Sequence, residues 1–514
     1  MDFNKEYPYE ARWALRFVLA ALGFLLLCLI EGMMLRTKLI LPEVLTNDHF
    51  YAVMTIHPLV GIYGYGYMAI MGSFYFLVPY LLQAKVYNQS LIPVNFWLQT
   101  IGLAISWFSC FFTNFNSLYT LYWPLPVSFD RMSNIGVLFF ILGLAIVFIN
   151  ILLFSYNLFA TLIKRPHTAK KHSLKNYVLS AFGFDYLKNK PHKKLYDDLP
   201  VFVVAVARGS VDTVINAVVL LALGVVILVY TVPSLMGLPL LNTLAVDALV
   251  YKNLFWWGLD MVADGNVLMY TAGTWYLLVP MLTGRKLFGE KVVRLVILAD
   301  LLISMFVWSH HLLGEESQPK FLRLFSGQFV TSGEIITLAL TLFATMTTIY
   351  LARPVRLTAA LKFVLTSMFG FSLGAMSGII SSNFGLNVVL HNTQWVIGAH
   401  AHMMLLLGLS PLLFSVVYAL IPMLFGREVK SQVLVNLHLV FWLTGTLTMC
   451  LAMGDAGLKG MLRRTIYFDH FYSGEMSVAM VGGVLIIIGF FCLLLNLILT
   501  LGLKNLTRFV FTGV

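Results

Sequence analysis

Six residues in the last quarter of the chain, Gly398-Ala399-His400-Ala401-His402-Met403, decide how the rest of the sequence is interpreted. They lie near the start of an apolar run from about Trp395 to Phe425, which is long enough to cross a membrane as a helix. A helix turns by about 100° per residue, so His400 and His402 leave it about 200° apart and face two different neighbours. Ligand-capable side chains within a membrane span are costly and usually mark function. The alternative is a pair of hydrogen-bonded core histidines.

The composition is that of a polytopic membrane protein. Of the 514 residues, 59% are hydrophobic and 11% are charged, and the mean hydropathy is +0.85. Apolar runs of about 20 residues follow one another along the chain, which a soluble core does not need. They predict an all-α protein in which a single domain, 1–514, crosses the membrane twelve times. The predicted spans are about 11–33, 51–82, 95–115, 133–163, 205–232, 252–281, 291–313, 327–352, 359–383, 393–425, 434–454 and 473–502.

Basic residues set the predicted orientation. The densest basic segment, 165–204, separates spans four and five, and we expect it to be a cytoplasmic loop because Lys and Arg are retained on that side. Both termini are then cytoplasmic. The net charge of +11 suits anionic membrane lipids and gives no reason to expect nucleic acid as a partner. The four cysteines form neither CxxC nor CxxCH, so covalently attached haem is not predicted.

Ionisable residues recur at the outer ends of three other spans. His57 opens span two, and the pair His310 and His311 closes span seven, where adjacent histidines can converge on one metal ion. In span six, Asp260 and Asp264 are four residues apart and would share one face of an α-helix. Two carboxylates on one face must share a proton or face a cation. The other interpretation is a solvated helix start near the outer surface.

Four further residues join this group. Glu334, about two turns into span eight, is a buried carboxylate suited to proton transfer or to supporting a metal ligand. His391 lies just outside span ten and is a candidate cofactor-binding residue. Arg463 and Arg464 lie on the outer side between spans eleven and twelve, where basic residues are disfavoured. We therefore expect this pair to bind anions, with haem propionates as the obvious candidates.

All these groups fall in the outer half of the bilayer under a topology that was set by loop charges alone. The arrangement predicts three centres. His57 and one histidine of span ten would hold a six-coordinate low-spin haem, and the other histidine would hold a five-coordinate high-spin haem. His310, His311 and an aspartate would hold a non-haem metal opposite the open face of that haem. Two histidines and a carboxylate favour iron(II) over copper.

At these residues the chain resembles the catalytic subunit of the haem-copper oxidase and nitric oxide reductase superfamily. The likeness covers all twelve spans. It rests on His-x-His in span ten, His-His at the end of span seven, one histidine opening span two, and Gly-Met-x-Arg-Arg after span eleven. The resemblance implies that His400 binds the high-spin haem and that His402 and His57 bind the low-spin haem, both expected to be b-type. It also implies that the histidine pair of span seven binds the distal metal and that the arginine pair contacts the propionates.

Span six departs from the family pattern. The family normally has a histidine where Asp260 stands, and nitric oxide reductases have a glutamate where Asp264 stands. Because both positions are carboxylates here, the resemblance points to a divergent nitric oxide reductase in which Asp260 and Asp264 bind the iron and take part in catalysis. Oxygen-reducing members carry a tyrosine near the metal, whereas the matching positions here are Asp264 and Ser304. Glu334 lies near the position of a second catalytic glutamate in the reductases.

The predicted function is therefore reduction of NO to N2O in the cytoplasmic (inner) membrane of a prokaryote. Electrons would come from a subunit carrying a c-type cytochrome or a cupredoxin, or from quinol. Three alternatives stay open: a divergent terminal oxygen reductase with copper in the distal site, a haem- or metal-handling transporter without redox turnover, and NO dismutation, although an intact low-spin haem site favours external electrons. The glutamate that would bind an inter-haem calcium is absent before Trp123-Pro124, so the resemblance does not extend to calcium.

Overall fold

Twelve long helices, α1 to α12, make up most of the computed structural model, which describes residues 7–130, 132–164, 199–239 and 241–511. Most of the predicted basic loop, from 165 to 198, lies outside the described residues. The helices are Pro8–Ile40, Asn47–Leu82, Leu91–Phe112, Asn134–Lys164, Val201–Leu235, 248–283, Glu290–Leu312, Lys320–Leu351, Ala359–Ser381, Val396–Phe425, Gln432–Leu458 and Ser473–Leu501. The prediction of an all-α polytopic membrane protein is confirmed.

Eleven of the described helices are long and apolar enough to cross a membrane. The remaining long helix, α6, is continuous over 248–283 and carries the two aspartates that the sequence analysis singled out. Large apolar side chains such as Phe112, Val225 and Phe343 are exposed on the outside of the bundle. Lipid would cover such side chains in a membrane, so their exposure agrees with the predicted environment.

Two helix boundaries differ from those predicted by hydropathy. Helix α1 continues to Ile40 instead of ending near residue 33, because Arg36 and Lys38 are buried within it. The ammonium group of Lys38 donates to the main-chain carbonyls of Pro42 and Leu45, which supply the partners that a buried cation needs. Helix α8 begins at Lys320 and not near residue 327.

Four helices contain a stretch with π-helical hydrogen bonding, and each stretch lies close to a predicted site residue. A π-helical turn is wider than an α-helical turn, because each N–H bonds to the carbonyl five residues earlier, and such turns are frequent at functional sites. Within the described residues, the π-helical stretches are Val60–Tyr67 in α2, Met261–Val267 in α6, Phe325–Val330 in α8 and Val396–Leu409 in α10.

Helix α10 lies in the interior, where its π-helical part packs against α9 and α11. A glycine makes the approach of α9 possible. A Cβ atom on Gly370 would lie 2.3 Å from the main-chain oxygen of Leu407, which is closer than any side chain tolerates. The close packing fixes α10 between its neighbours and so fixes the direction in which its two histidines leave the helix.

Candidate active site

His402 of α10 and His57 of α2 form a pair. Their rings are nearly parallel, at 20°, and their centroids lie 6.1 Å apart. Nδ1 of His402 lies 2.7 Å from the carbonyl oxygen of Ile397, while Nδ1 of His57 lies 3.4 Å from Sγ of Cys28 and 3.6 Å from Oε2 of Glu31. Both Nδ1 atoms thus face protein groups, which leaves Nε2 of each ring for a ligand.

The spacing of this pair fits a metal ion held between the two rings. A metal bound to one nitrogen of each imidazole at about 2 Å would put the ring centroids about 6 Å apart. A carbonyl oxygen only accepts hydrogen bonds, so Nδ1 of His402 carries the proton and Nε2 keeps the lone pair that a metal needs. The residues present therefore fit the low-spin haem that the sequence predicts at His57 and His402.

His400 leaves α10 toward a different neighbour. Its Nδ1 lies 2.9 Å from the carbonyl oxygen of Gly374 in α9, which fixes the same tautomer as in His402. The ring borders a cavity that is also lined by His310 and His311. A Cβ atom on Gly378 would lie 2.4 Å from Cε1 of His400, so only glycine leaves room for the imidazole. His400 is thus oriented by protein and faces an open volume, as a five-coordinate haem requires.

Three side chains, one from α6 and two from α7, lie close together on the side of this cavity opposite α9. The candidate ligand atoms of Asp260, His310 and His311 all lie within 4.8 Å of one another. Nε2 of His311 is 2.9 Å from Oδ1 of Asp260, and Nδ1 of His310 is 2.9 Å from the carbonyl oxygen of Val307. Oδ2 of Asp260 and Nδ1 of His311 are buried without a hydrogen-bond partner. Buried polar atoms without partners are costly, and a metal ion would satisfy them.

The two adjacent histidines lie just beyond the α-helical part of α7. The α-helical part of α7 ends at Ser304, and residues Trp308–Leu312 form a 3₁₀-helix. The rings of His310 and His311 lie 4.1 Å apart, and Trp256 of α6 stacks on His311 at 3.8 Å. Two imidazoles and one carboxylate fit an iron(II) ion better than copper, because the carboxylate is the harder donor.

Asp264 lies in the π-helical stretch of α6, but its side chain is outside the described residues. Its assignment as an iron ligand stays a prediction. That Asp260 and Asp264 share one face of α6 also stays a prediction.

Glu334 and His391 both line the cavity that borders His400. Because α8 begins at Lys320, Glu334 lies about four turns from its outer end instead of the predicted two. The ring of His391 lies 5.7 Å from that of His311. Burial, together with the positive charge of Arg463, holds the pKa of His391 well below its usual value. His391 is therefore neutral at physiological pH.

Arg463 and Arg464 lie in the segment between α11 and α12, which is tied to the residues before α10. The N–H of Arg463 donates to the carbonyl of Asn392, and the guanidinium of Arg464 donates to the hydroxyl of Tyr119 at 3.1 Å. Burial and the neighbouring Arg464 lower the pKa of Arg463 to about 10, so it stays charged. Nε of each arginine is buried without a partner, and no described carboxylate pairs with either. This arrangement fits anionic propionates.

Hydropathy reasoning missed two buried charged groups. Arg36 lies just beyond the predicted end of span one, where a basic residue is typical of an interfacial anchor. It is nevertheless 8% exposed, and its guanidinium contacts the sulfur atoms of Met453 and Met476. Glu31, also on α1, lies beside His57 and is 1% exposed. A lone carboxylate inside an apolar run is a signal that sequence reasoning could have used.

A third buried charged group, Arg208, joins the helices that carry the site. Arg208 of α5 bonds Asp212 at 2.6 Å, the carbonyl of Gly265 at 2.8 Å and the hydroxyl of Ser304 at 2.6 Å. Its other charged neighbour is Asp300 of α7, at 3.4 Å. These contacts join α5 to the π-helical stretch of α6 and to the end of the α-helical part of α7. Arg208 and Asp212 therefore have a structural role.

Comparison with known proteins gives the family. Residues 12–491 match the family model described as "Cytochrome C and Quinol oxidase polypeptide I". The chain belongs to the haem-copper oxidase superfamily. It is similar to ubiquinol oxidase subunit 1 of Acetobacter aceti, at 25% identity over 97% of this chain and 71% of that protein. It is also similar to cytochrome c oxidase subunit 1 of Thermostichus vulcanus, at 24% identity over 94% of this chain and 82% of the relative.

A solved structure shows the same fold for a haem-copper oxidase. A haem-copper terminal oxidase, described as a dimer by electron cryomicroscopy, matches with a TM-score of 0.69 and 20% identity, covering 98% of this chain and 84% of that one. The family supports an oxidoreductase of the electron-transport chain over the transporter hypothesis. It also implies haem and a metal centre, which agrees with the fit of the described residues.

Proposed function

We propose that this haem-copper oxidase subunit reduces nitric oxide, 2 NO + 2 e⁻ + 2 H⁺ → N2O + H2O. The observation that carries the proposal is the carboxylate in the distal cluster, where Asp260 lies 2.9 Å from His311. A set of two imidazoles and one carboxylate suits iron(II), whereas three imidazoles suit copper as well. A haem and a non-haem iron together supply the two electrons that the reaction needs.

The protein's own groups would position and protect this chemistry. His57 and His402 would hold the low-spin haem, and His400 would hold the high-spin haem, each through the Nε2 atom that its hydrogen bonds leave unprotonated. Asp260, His310 and His311 would hold the iron, with Asp264 as a further ligand. Arg463 and Arg464 would bind the propionates through charge-assisted hydrogen bonds.

Protons must reach the cavity, and its carboxylates are suited to deliver them. Glu334 borders the same cavity as His310, His311 and His400. A carboxyl group in that position would hold one proton and pass it toward the bound substrate. Asp260 would combine metal binding with the same task.

The lining of the cavity favours two-electron over four-electron chemistry. Among the described residues around it there is no tyrosine. According to the family resemblance, oxygen-reducing members use a tyrosine near the metal as a source of one electron and a proton. Reduction of two NO needs only two electrons, which two irons could supply. A site without this tyrosine is therefore suited to NO.

Terminal oxygen reduction is the second candidate, and the relatives favour it. Proteins similar to this chain carry the names ubiquinol oxidase and cytochrome c oxidase. Under that candidate the distal metal would be copper. In either case we propose a prokaryotic cytoplasmic membrane, cytoplasmic termini and an active site toward the outer face. The electron donor would be a c-type cytochrome, a cupredoxin or quinol.

Turnover of the purified protein separates the two candidates. With a reduced electron mediator, we expect NO consumption with one N2O formed per two NO, and slower O2 consumption. Asp260→Asn should abolish NO turnover, whereas Asp455→Asn, at a carboxylate with half of its side chain exposed, should not change it. Faster O2 than NO consumption by the unmodified protein would overturn the proposal in favour of oxygen reduction.

A further inference from the structure

The two histidines proposed to bind the low-spin haem differ in the protein group that contacts their Nδ1 atom. Nδ1 of His402 meets a neutral main-chain carbonyl, that of Ile397. Nδ1 of His57 instead faces the carboxylate of Glu31 at 3.6 Å and the thiol of Cys28 at 3.4 Å. The pair is thus asymmetric, with an acidic group behind one ring only.

Glu31 lies deep within α1, and its side chain has few partners. It is 1% exposed, and its Oε1 accepts a hydrogen bond from Nε1 of Trp107 at 2.8 Å. Its Oε2 is buried without a hydrogen bond. Arg36, the nearest cation along the helix, bonds methionine sulfur atoms instead. Among the described residues, His57 is the cation-capable group within ion-pair distance of Glu31.

A buried carboxylate is costly unless positive charge or hydrogen bonds offset the loss of hydration. At this position the offset would come from the Nδ1–H of His57, 3.6 Å away, and from the positive charge of the ferric iron–porphyrin core behind it. A carboxylate beside Nδ1 favours the tautomer that is protonated there and raises the basicity of the imidazole as a metal ligand. A fixed negative charge also favours the oxidised over the reduced iron.

We propose that Glu31 is a positioning residue for His57 that lowers the reduction potential of the low-spin haem. The inference rests on the proposed function in one respect, that His57 binds this haem. Taking up one electron converts the ferric iron to ferrous and removes the positive charge that Glu31 offsets. The carboxylate therefore opposes reduction, and its removal makes the haem easier to reduce.

A redox titration of the low-spin haem in the whole purified protein tests this role. Glu31→Gln keeps the size of the side chain and removes the charge. We expect at least a tenfold shift of the one-electron equilibrium toward the reduced haem, which is an increase of about 59 mV in midpoint potential. Glu31→Asp keeps the charge but draws it back by one methylene, so a smaller increase is expected.

Glu10 provides a matched control on the same helix. It is fully buried, accepts hydrogen bonds from Gln89 and from the N–H of Val86, and lies about 30 Å from Glu31 along the helix axis. Glu10→Gln should leave the potential unchanged. An increase in this variant equal to that in Glu31→Gln would overturn the proposal.

The outcomes also separate this inference from the proposed function. A low-spin spectrum that is retained in Glu31→Gln with an unchanged potential overturns the role of Glu31 alone. If Glu31→Gln does not assemble, an unchanged or lower potential in Glu31→Asp overturns it equally. Absence of any bis-histidine low-spin spectrum in the unmodified protein would overturn the haem ligation itself, and the proposed function with it.

Discussion

The two faces of α10 differ in their surroundings: the imidazole of His402 faces a second imidazole, whereas the imidazole of His400 borders a cavity. On the His402 face, a second imidazole lies 6.1 Å away, so protein would occupy both sides of a haem iron held between the rings. On the His400 face, the ring borders a cavity that is also lined by three other histidines, His310, His311 and His391, and by a glutamate. One His-x-His motif therefore provides a closed site suited to holding an electron and an open site suited to substrate. The predictions below test this division.

Replacing each histidine of the motif should have the largest effects, and the two effects should differ. His402→Ala should abolish the low-spin haem spectrum but leave the high-spin haem able to bind carbon monoxide. His400→Ala should do the reverse, because the two imidazoles face different neighbours. Turnover should fall to background in both variants. Optical spectra of the reduced proteins with and without carbon monoxide measure the difference, and loss of the same signal in both variants would refute the division.

Asp260, the carboxylate of the cluster on the His400 face, should control which metal the distal site binds. Asp260→Ala removes a buried ligand and should lower the distal metal content by at least about tenfold, while both haems remain. Asp260→His creates a set of three imidazoles and should increase the share of copper. Elemental analysis after purification tests both changes. Unchanged metal content in Asp260→Ala would show that Asp260 is not a ligand.

Gly378 on α9 should affect only the haem that His400 is proposed to bind. In Gly378→Ala the new Cβ would lie 2.4 Å from the ring of His400, so the imidazole must move. We expect partial loss of the high-spin haem at a cost of about 1–3 kcal/mol. Gly385→Ala is the control, because its nearest neighbour would lie at an ordinary 3.7 Å. The pyridine haemochrome assay reports haem content, and equal losses in both variants would argue against the steric explanation.

Replacing one arginine of the pair should have the smallest effect, because a propionate contact would hold a haem without binding its iron. Arg463→Gln removes a buried charge and should weaken haem retention by about tenfold, as expected for one charge-assisted hydrogen bond. The exposed Arg427 on the opposite segment, after α10, supplies the control variant Arg427→Gln. Haem loss to apomyoglobin over time measures retention. Equal retention in the two variants would contradict propionate binding by Arg463.

Hydropathy was sufficient to predict an all-α polytopic membrane fold. Long apolar runs predicted twelve spans, and the basic segment after span four gave an orientation in which every candidate ligand lies at one depth. His57, His310, His311, His400 and His402 were found because imidazoles are rare in apolar helices. Their convergence in the structure follows from the same membrane depth on neighbouring helices.

Other features were beyond the sequence because they depend on contacts between distant residues. The π-helical bonding of residues 261–267 and 396–409 has no periodic signature in the sequence. The burial of Arg36 depends on two methionines more than 400 residues away. A hydropathy profile places the end of a span at such a cation, because the profile contains no information about its partners in the fold.

The metal and haem content of the purified protein tests the central claim most directly, that the distal site contains a carboxylate and is built for iron. The account predicts three irons per chain, two of them in haem and one not, and no copper at the distal site. Two haem irons with one copper per chain, bound stoichiometrically and required for turnover, would contradict it.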